Sequence, residues 1–156
     1  MKRIACLMIA AVLMLSLAAC GGSAAKTYDL AAIQESMLNA LQEKEPLVWK
    51  QENIESFYDI AAEDVKNAVC IVTMDGGGAF PDEILMVEAV DTAAADRVEA
   101  KLNARLADLT TQAQNYDADS LALFQKCKVE RYGNVVTLFA SPDSEQLRDI
   151  FTKAGK

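Results

Sequence analysis

Residues 68–74 read AVCIVTM and residues 82–90 read DEILMVEAV, and these two stretches decide the fold. Both are rich in β-branched and apolar side chains, which is typical of strands that are buried on at least one face. The segment between them, DGGGAFP, contains three consecutive glycines, which tolerate positive φ angles. The sequence therefore predicts a hairpin of two antiparallel strands.

A glycine-rich loop can also cradle a phosphate, but such a loop passes from a strand into the N-terminus of a helix. Here the segment after the glycines has the pattern of a strand, and no Lys-Ser/Thr pair follows them. We therefore expect a turn and no phosphate site at residues 76–78.

A second hairpin is predicted near the C-terminus. Residues 127–132 and 135–140 read CKVERY and VVTLFA, and Gly133-Asn134 between them is typical of a two-residue turn. With the helical segments around both hairpins, the sequence predicts an α+β domain in the order α-β-β-α-(α)-β-β-α. Its sheet would be antiparallel and four-stranded, with the helices packed mainly on one face.

Apolar spacing and capping residues place the helices. The first is predicted to begin at Asp29, with Thr27 as an alternative cap, and to end before Pro46. A short helix is expected at residues 119–125, and a last one from Ser141-Pro142 to Gly155. Residues 47–60 have no clear period, and we interpret them as a connector that aromatic side chains hold against the core.

The longest helix is predicted to run from Thr92 or Asp91 to about Asn115. Its buried seam is marked by Val98, Leu102, Leu106, Leu109 and Ala113, at spacings of three and four. The charged residues between these positions are interpreted as a solvated face: Asp96, Arg97, Glu99, Lys101, Arg105 and Asp108.

The N-terminal stretch predicts where the protein works. Lys2 and Arg3 precede an apolar run, and Leu17, Ala18, Ala19 and Cys20 then follow the pattern of a lipobox. This is the layout of a secretory signal peptide, and we expect cleavage between Ala19 and Cys20 with attachment of lipid to Cys20. Two or more acyl chains hold a protein stably on a membrane, at about 0.8 kcal/mol for each buried methylene.

Two alternatives for this stretch are weaker. A transmembrane helix needs about 20 apolar residues, whereas residues 4–19 number 16 and Gly21 and Gly22 end the run. Ordinary signal peptidase prefers a small residue where Leu17 stands, although Ser23-Ala24-Ala25 would suit it and would release a soluble domain. The predicted organisation is a signal peptide at 1–19, a lipidated cysteine and flexible tether at 20–26, and one domain at 27–156.

Composition excludes several function classes. Residues 20–156 number 137, and the 15 basic residues less Lys2 and Arg3 leave 13 against 23 acidic ones, a net charge of −10. Such a domain repels phosphate backbones, so we expect no nucleic-acid partner. The chain has no histidine, which removes His-based triads and the usual zinc sites. No metal and no cofactor are predicted.

The two cysteines of the domain, Cys70 and Cys127, lie in apolar, strand-like segments, where a free cysteine packs as a small hydrophobe. A disulfide between them is permitted outside the cytoplasm, but the sequence favours two buried thiols. No CxxC spacing occurs, which gives a redox function little support.

Carboxylates are the remaining candidates for catalysis. Asp82 and Glu83 are adjacent on a predicted strand, so their side chains should point to opposite faces and cannot share a proton. Asp117 and Asp119 could ligate a hard cation, but helix capping explains them better. We therefore predict no catalytic residue.

Three residues are candidates for contact with a ligand. Arg131 and Tyr132 stand beside the Gly133-Asn134 turn, and Tyr116 follows the longest helix. An aromatic cross-strand pair at the end of a hairpin explains Arg131 and Tyr132 equally well.

Several features occur in an order that resembles a known family. After the lipobox and the leading helix come Tyr58-Asp59-Ile60, Asp82-Glu83-Ile84, an Ala-rich helix ending at Tyr116, and Tyr132 to Val136. This order resembles the lipoproteins of the domain-of-unknown-function family numbered 4358, found mainly in Gram-positive bacteria. The resemblance implies a lipid-anchored extracytoplasmic domain. It carries over no activity and no functional residue beyond Cys20.

The sequence thus predicts a non-enzymatic lipoprotein on the outer face of the cytoplasmic membrane, held there by lipid on Cys20. Its expected partner is an envelope protein or a small ligand. A solute- or cation-binding accessory of a transporter is the alternative, and a carboxylate-based hydrolase is the third hypothesis.

Overall fold

The computed structural model describes residues 26–74 and 79–156. The signal peptide, the lipobox with Cys20, most of the tether and the triple-glycine turn lie outside these residues. The described part is an α+β domain, as predicted. Its helices are α1 (Leu30–Ala40), α2 (Gln51–Tyr58), α3 (Thr92–Gln114), α4 (Ala118–Phe124) and α5 (Ser144–Ala154), and its strands are β1 (Leu47–Trp49), β2 (Val65–Thr73), β3 (Asp82–Ala89), β4 (Val129–Tyr132) and β5 (Val135–Ala140).

The five strands form one antiparallel sheet in the order β1-β2-β3-β5-β4. Both predicted hairpins are present: Thr73 pairs with Asp82 in one and Tyr132 with Val135 in the other. Gly133, in the two-residue turn, has a φ of 65°, which glycine adopts without strain. Pairing of β3 with β5 joins the two hairpins into one sheet.

The prediction of four strands is wrong by one, because β1 lies in the segment interpreted as a connector. Only three residues long, β1 is too short to show the alternation of a strand in sequence. It exists because Leu47 and Trp49 pair with Val72 and Cys70 of β2. The same segment also contains α2.

The prediction that the helices pack mainly on one face is also wrong. Helices α1 and α5 cover one face of the sheet, where Met37 and Phe151 pack on Ile71 and Ile84. Helices α2, α3 and α4 cover the other face. The central strands are buried on both sides, which explains the continuous apolar runs of β3 and β5.

Local capping places the helix starts. Asp29 caps α1 by accepting hydrogen bonds from the backbone N–H groups of Ala31 and Ala32, and Asp91 caps α3 through Ala94. The last helix begins two residues later than predicted, because its N-cap is Asp143 and its first helical residue is Ser144. Ser141 is fully buried, and its hydroxyl is used in other contacts described below.

The sheet has two distinct ends. At the proximal end, defined here by Thr27, Lys156 and Gly133, the backbones of Thr27 and Lys156 bond to each other at 3.0 and 3.2 Å. The distal end, defined by Thr73, Asp82 and Ser141, lies at the other ends of the strands. The nine residues of β2 separate these ends by about 30 Å.

Among the described residues, no helix is long and apolar enough to cross a membrane.

Candidate functional site

A cavity of about 600 Å³ opens at the distal end of the sheet. Its walls come from the segment before β3, from α4 and its flanking residues, and from the start of α5. The volume lies in the range of small-molecule sites. Three parts of the chain that are distant in sequence build this cavity.

Asp82 lines the cavity and is almost fully buried. Its Oδ2 accepts hydrogen bonds from the hydroxyls of Thr73 and Ser141, at 3.0 and 2.9 Å. Lys44 Nζ approaches the same oxygen to 3.6 Å and pairs with Asp143 at 2.7 Å. Two strand ends, a helix start and the turn after α1 thus converge on one carboxylate.

Asp117 fixes α4 in the cavity wall. Its side chain accepts from the Ser120 hydroxyl at 2.5 Å and from the backbone N–H groups of Asp119 at 3.0 Å and Ala79 at 3.5 Å. The hydrogen bond from Ser120 is the main cause that holds the pKa of Asp117 below its ordinary value. This confirms the capping interpretation of Asp117. Among residues 26–74 and 79–156, no group of three His, Cys, Asp or Glu could hold a metal ion.

Four other charged groups line the cavity. Lys126, Asp119 and Glu145 form no side-chain hydrogen bond or ion pair with another described residue. Arg148 donates from Nε to Glu130 Oε2 at 2.5 Å, while its terminal nitrogens have no described partner. Phe80 and Phe124 meet edge to face at 5.6 Å and give the cavity an apolar wall. The cavity therefore offers both signs of charge beside aromatic surface.

Glu83, next to Asp82 in sequence, belongs to a different and closed cluster. Only 2% of it is exposed, and it accepts from Tyr58 Oη at 2.9 Å and from Arg105 Nε at 3.1 Å. A second bond from Arg105 Nη2 completes a forked pair. Asp82 and Glu83 thus do not share partners, in agreement with the predicted opposite orientation.

The Glu83 cluster also contains Cys70 and Phe57. Cys70 Sγ lies 3.7 Å from Tyr58 Oη, and burial is the main cause that raises the pKa of this thiol to about 12. Burial likewise raises the pKa of Tyr58 above its ordinary range. The guanidinium of Arg105 lies 4.8 Å from the Phe57 ring centroid, a cation–π contact. The cluster therefore holds α2 and α3 on the sheet with its polar groups satisfied.

One residue of α3 corrects the prediction of a wholly solvated charged face: the side chain of Arg105 is only 22% exposed and pairs with Glu83. Arg97 agrees with the prediction, because its side chain is exposed even though it pairs with the buried Asp64 at 2.5 Å. The signal for Arg105 was present in the sequence. It stands three residues after Leu102 and four before Leu109, which places it on the apolar seam.

The three predicted ligand contacts do not come together. Tyr116 is 85% exposed and follows α3 towards the distal end, while Arg131 and Tyr132 lie at the proximal end. Arg131 bonds to Asp96 and to the backbone oxygens of Thr92 and Gly133, and Tyr132 packs on Phe151 at 4.9 Å. None of the three lines the cavity.

The prediction of two buried thiols is confirmed. Cys70 and Cys127 are free and buried, and burial is the main cause that raises the pKa of the Cys127 thiol. Sequence reasoning missed the cavity itself, because no single segment of its wall carries a motif. Of the carboxylates singled out in the sequence, Asp82, Asp117 and Asp119 line the cavity, but nothing in the sequence places Asp82 beside the other two.

Comparison with known families gives one match. The family described as Domain of unknown function (DUF4358) matches residues 39–141. This range contains all five strands, α2, α3 and α4. Neither the curated proteins nor the solved structures give a match.

Proposed function

The chain belongs to the DUF4358 family, and from that premise we propose that it is a lipid-anchored extracytoplasmic protein that binds a small ligand in its distal cavity. The lipid is attached at Cys20, and the domain works at the outer face of the cytoplasmic membrane. It acts by binding rather than by catalysis.

The position of the cavity carries this proposal. The chain enters the domain at the proximal end, where Thr27 bonds to Lys156. Six residues, 21–26, lie between Cys20 and Thr27, so the seven Cα–Cα steps reach at most about 24 Å. The cavity lies at the opposite end, about 30 Å along the strands. An anchored domain in this orientation presents its cavity away from the bilayer, to solutes of the extracytoplasmic space.

The contents of the cavity favour binding over hydrolysis. Asp82 and Asp117 are engaged by hydroxyl and amide donors. In the cavity wall, the pKa of the Asp117 carboxyl is held below its ordinary value, mainly by the hydrogen bond from Ser120. A general acid at neutral pH needs a raised carboxyl pKa. A solute-binding accessory of a transporter remains compatible with the same cavity.

A protein partner is the second candidate, and a specific surface favours it. Leu47 is 60% exposed on the edge strand β1, beside Val48 and the half-exposed Phe57. Trp49 meets Phe57 edge to face at 5.0 Å. An edge strand with apolar side chains is a surface on which another chain can dock.

The lipid anchor and the binding of a small ligand are tested together in intact cells. A photo-crosslinking amino acid replaces Ala122, an exposed residue of the cavity wall. We expect the full chain to fractionate with membranes, to incorporate labelled fatty acid and to carry a light-dependent adduct of low mass. The same crosslinker in place of Ala107, on the exposed face of α3, is the positional control.

The anchor is tested in parallel with Cys20→Ala, which should abolish the fatty-acid label and release the protein, while Cys6→Ala should not. Retention of the label in Cys20→Ala would contradict the anchor. Equal adducts at Ala122 and Ala107 would contradict the cavity as the binding site. An adduct of protein mass would support the second candidate.

A further inference from the structure

We propose that the distal cavity selects a small zwitterion, namely a free amino acid or a short peptide with both an ammonium and a carboxylate group. This inference rests on the proposed binding function and names its ligand class. It follows from which charges of the cavity are already engaged and which are not.

The engaged charges belong to the scaffold. Asp82 accepts from Thr73 and Ser141 and has Lys44 beside it, and Asp117 accepts from Ser120 and two backbone N–H groups. These carboxylates join the strand ends to α4 and α5. If a ligand accepted hydrogen bonds from the donors of Asp82 and Asp117, the folded protein would lose the hydrogen bonds that it already makes there.

The unengaged charges have both signs. The terminal nitrogens of Arg148 and the ammonium of Lys126 are positive, and the carboxylates of Asp119 and Glu145 are negative. Glu145, three residues before Arg148 on α5, helps to raise the pKa of Arg148 through its charge but forms no ion pair with it. The pairing of Arg148 Nε with Glu130 at 2.5 Å orients the guanidinium and leaves its outer edge available. A carboxylate is the group that this planar edge binds best.

Ligands with one sign of charge fit this set less well. An anion would meet Asp119 and Glu145, and a cation would meet Arg148 and Lys126. A neutral ligand would displace water from four charged groups without pairing them, which costs free energy. A zwitterion carries one positive and one negative group. Each can pair with a cavity residue of opposite charge, and this pairing offsets the cost of removing water from both.

The apolar wall of the cavity indicates what side chain the ligand carries. Phe80 and Phe124 meet at 5.6 Å, and Leu123, Pro81 and Pro142 extend this surface. The volume of about 600 Å³ is in the range occupied by small organic ligands. An apolar side chain on the amino acid or peptide would pack on these rings while its charged ends meet the polar wall.

The test uses the purified full-length lipidated protein in detergent. Each of the twenty L-amino acids and a set of alanyl dipeptides is screened by thermal shift, and positive probes are titrated by calorimetry. We expect at least one probe to raise the Tm. Its N-acetylated and C-amidated derivatives should bind at least tenfold more weakly, because each lacks one charge.

Variants locate the binding. Arg148→Gln and Asp119→Asn should each weaken a positive probe at least tenfold, and Lys50→Gln, an exposed lysine outside the cavity, should not change it. Lys126→Gln is a second test of the cationic side in case Arg148→Gln is unfolded by circular dichroism. Lys126 can be replaced without loss of an ion pair to a described residue.

Three results would overturn the inference: no response to any probe, equal binding of a probe and its two derivatives, or binding that is unchanged in Arg148→Gln, Lys126→Gln and Asp119→Asn. These results differ from a failure of the proposed function. A low-mass adduct at Ala122 that is a neutral sugar would contradict the zwitterion and would still support the binding function.

Discussion

Asp82 and Glu83 are neighbours on β3 and have opposite surroundings. Glu83 is enclosed by Arg105 and Tyr58, which satisfy both of its oxygens. Asp82 is held by Thr73 and Ser141, has Lys44 beside it, and lines a cavity in which Lys126, Asp119 and Glu145 form no side-chain hydrogen bond or ion pair with a described residue. Because side chains alternate across a strand, one of two adjacent carboxylates can lie in a closed cluster and the other beside a cavity.

This difference offers a physical criterion for finding a site without catalytic motifs. A charged cluster whose hydrogen bonds are complete, such as that of Glu83, has no remaining capacity to bind a ligand. Charged groups that surround a cavity and lack partners keep that capacity. The three tests below examine this division, from the largest expected effect to the smallest.

The strongest test removes the charge of each carboxylate in turn. Glu83→Gln leaves Arg105 half-buried without its counter-charge and should lower the free energy of unfolding by about 3 kcal/mol. Asp82→Asn keeps an oxygen for Thr73 and Ser141, and Lys44 keeps its closer pair with Asp143, so this variant should cost about 1 kcal/mol. Urea unfolding measures both.

The control for this pair is Glu88→Gln. Glu88 lies on β3, like Asp82 and Glu83, and the variant removes a more exposed ion pair with Lys66 of β2. Its effect should stay below about 1 kcal/mol. If Asp82→Asn proved as destabilising as Glu83→Gln, the separation into a closed cluster and an open site would be wrong.

Tyr58→Phe sharpens the description of the closed cluster. The variant keeps the ring that packs edge to face on Phe57 but removes the hydroxyl that donates to Glu83. Loss of one buried hydrogen bond to a charged group should lower the free energy of unfolding by about 1.5–3 kcal/mol. Tyr116→Phe, at a residue that is 85% exposed, is the matched control and should be neutral. A neutral Tyr58→Phe would show that Arg105 alone satisfies Glu83.

The smallest effect concerns pH and the cavity wall. The hydrogen bond from Ser120 keeps the pKa of Asp117 below its ordinary value of 3.8, so the ionised form stabilises the folded state. This contribution is present above about pH 4 and is lost as the pH falls through the lowered pKa. Asp117→Asn retains a capping side chain but does not titrate.

Thermal unfolding at pH 6 and pH 3 should therefore show a smaller acid-induced drop in Tm for Asp117→Asn than for the unmodified chain. Asp149→Asn, in an exposed pair with Lys153, serves as the surface control. An unchanged drop in Asp117→Asn would indicate that acid acts on other carboxyls, such as Asp64 beside Arg97.

The site was less predictable than the fold for a physical reason. Asp117 could be recognised because an N-cap acts on backbone groups within three residues. The pairing of Arg148 with Glu130 and the approach of α5 to α4 depend on contacts between distant segments. Arg105 was partly predictable. Its spacing in the sequence places it on the apolar seam of α3, but its partner Glu83 lies on β3 and could be found only in the structure.

The sequence by itself determined what short-range chemistry controls: the two hairpins, the Gly133-Asn134 turn, the caps at Asp29 and Asp91 and the apolar thiols. Only the tertiary structure decided the fifth strand, the helices on both faces and the cavity. β1 is a strand because its backbone pairs with the edge of β2. Helices cover both faces of the sheet because its central strands carry apolar side chains on both faces. A cavity exists only where separate segments meet, so its chemistry follows from their packing.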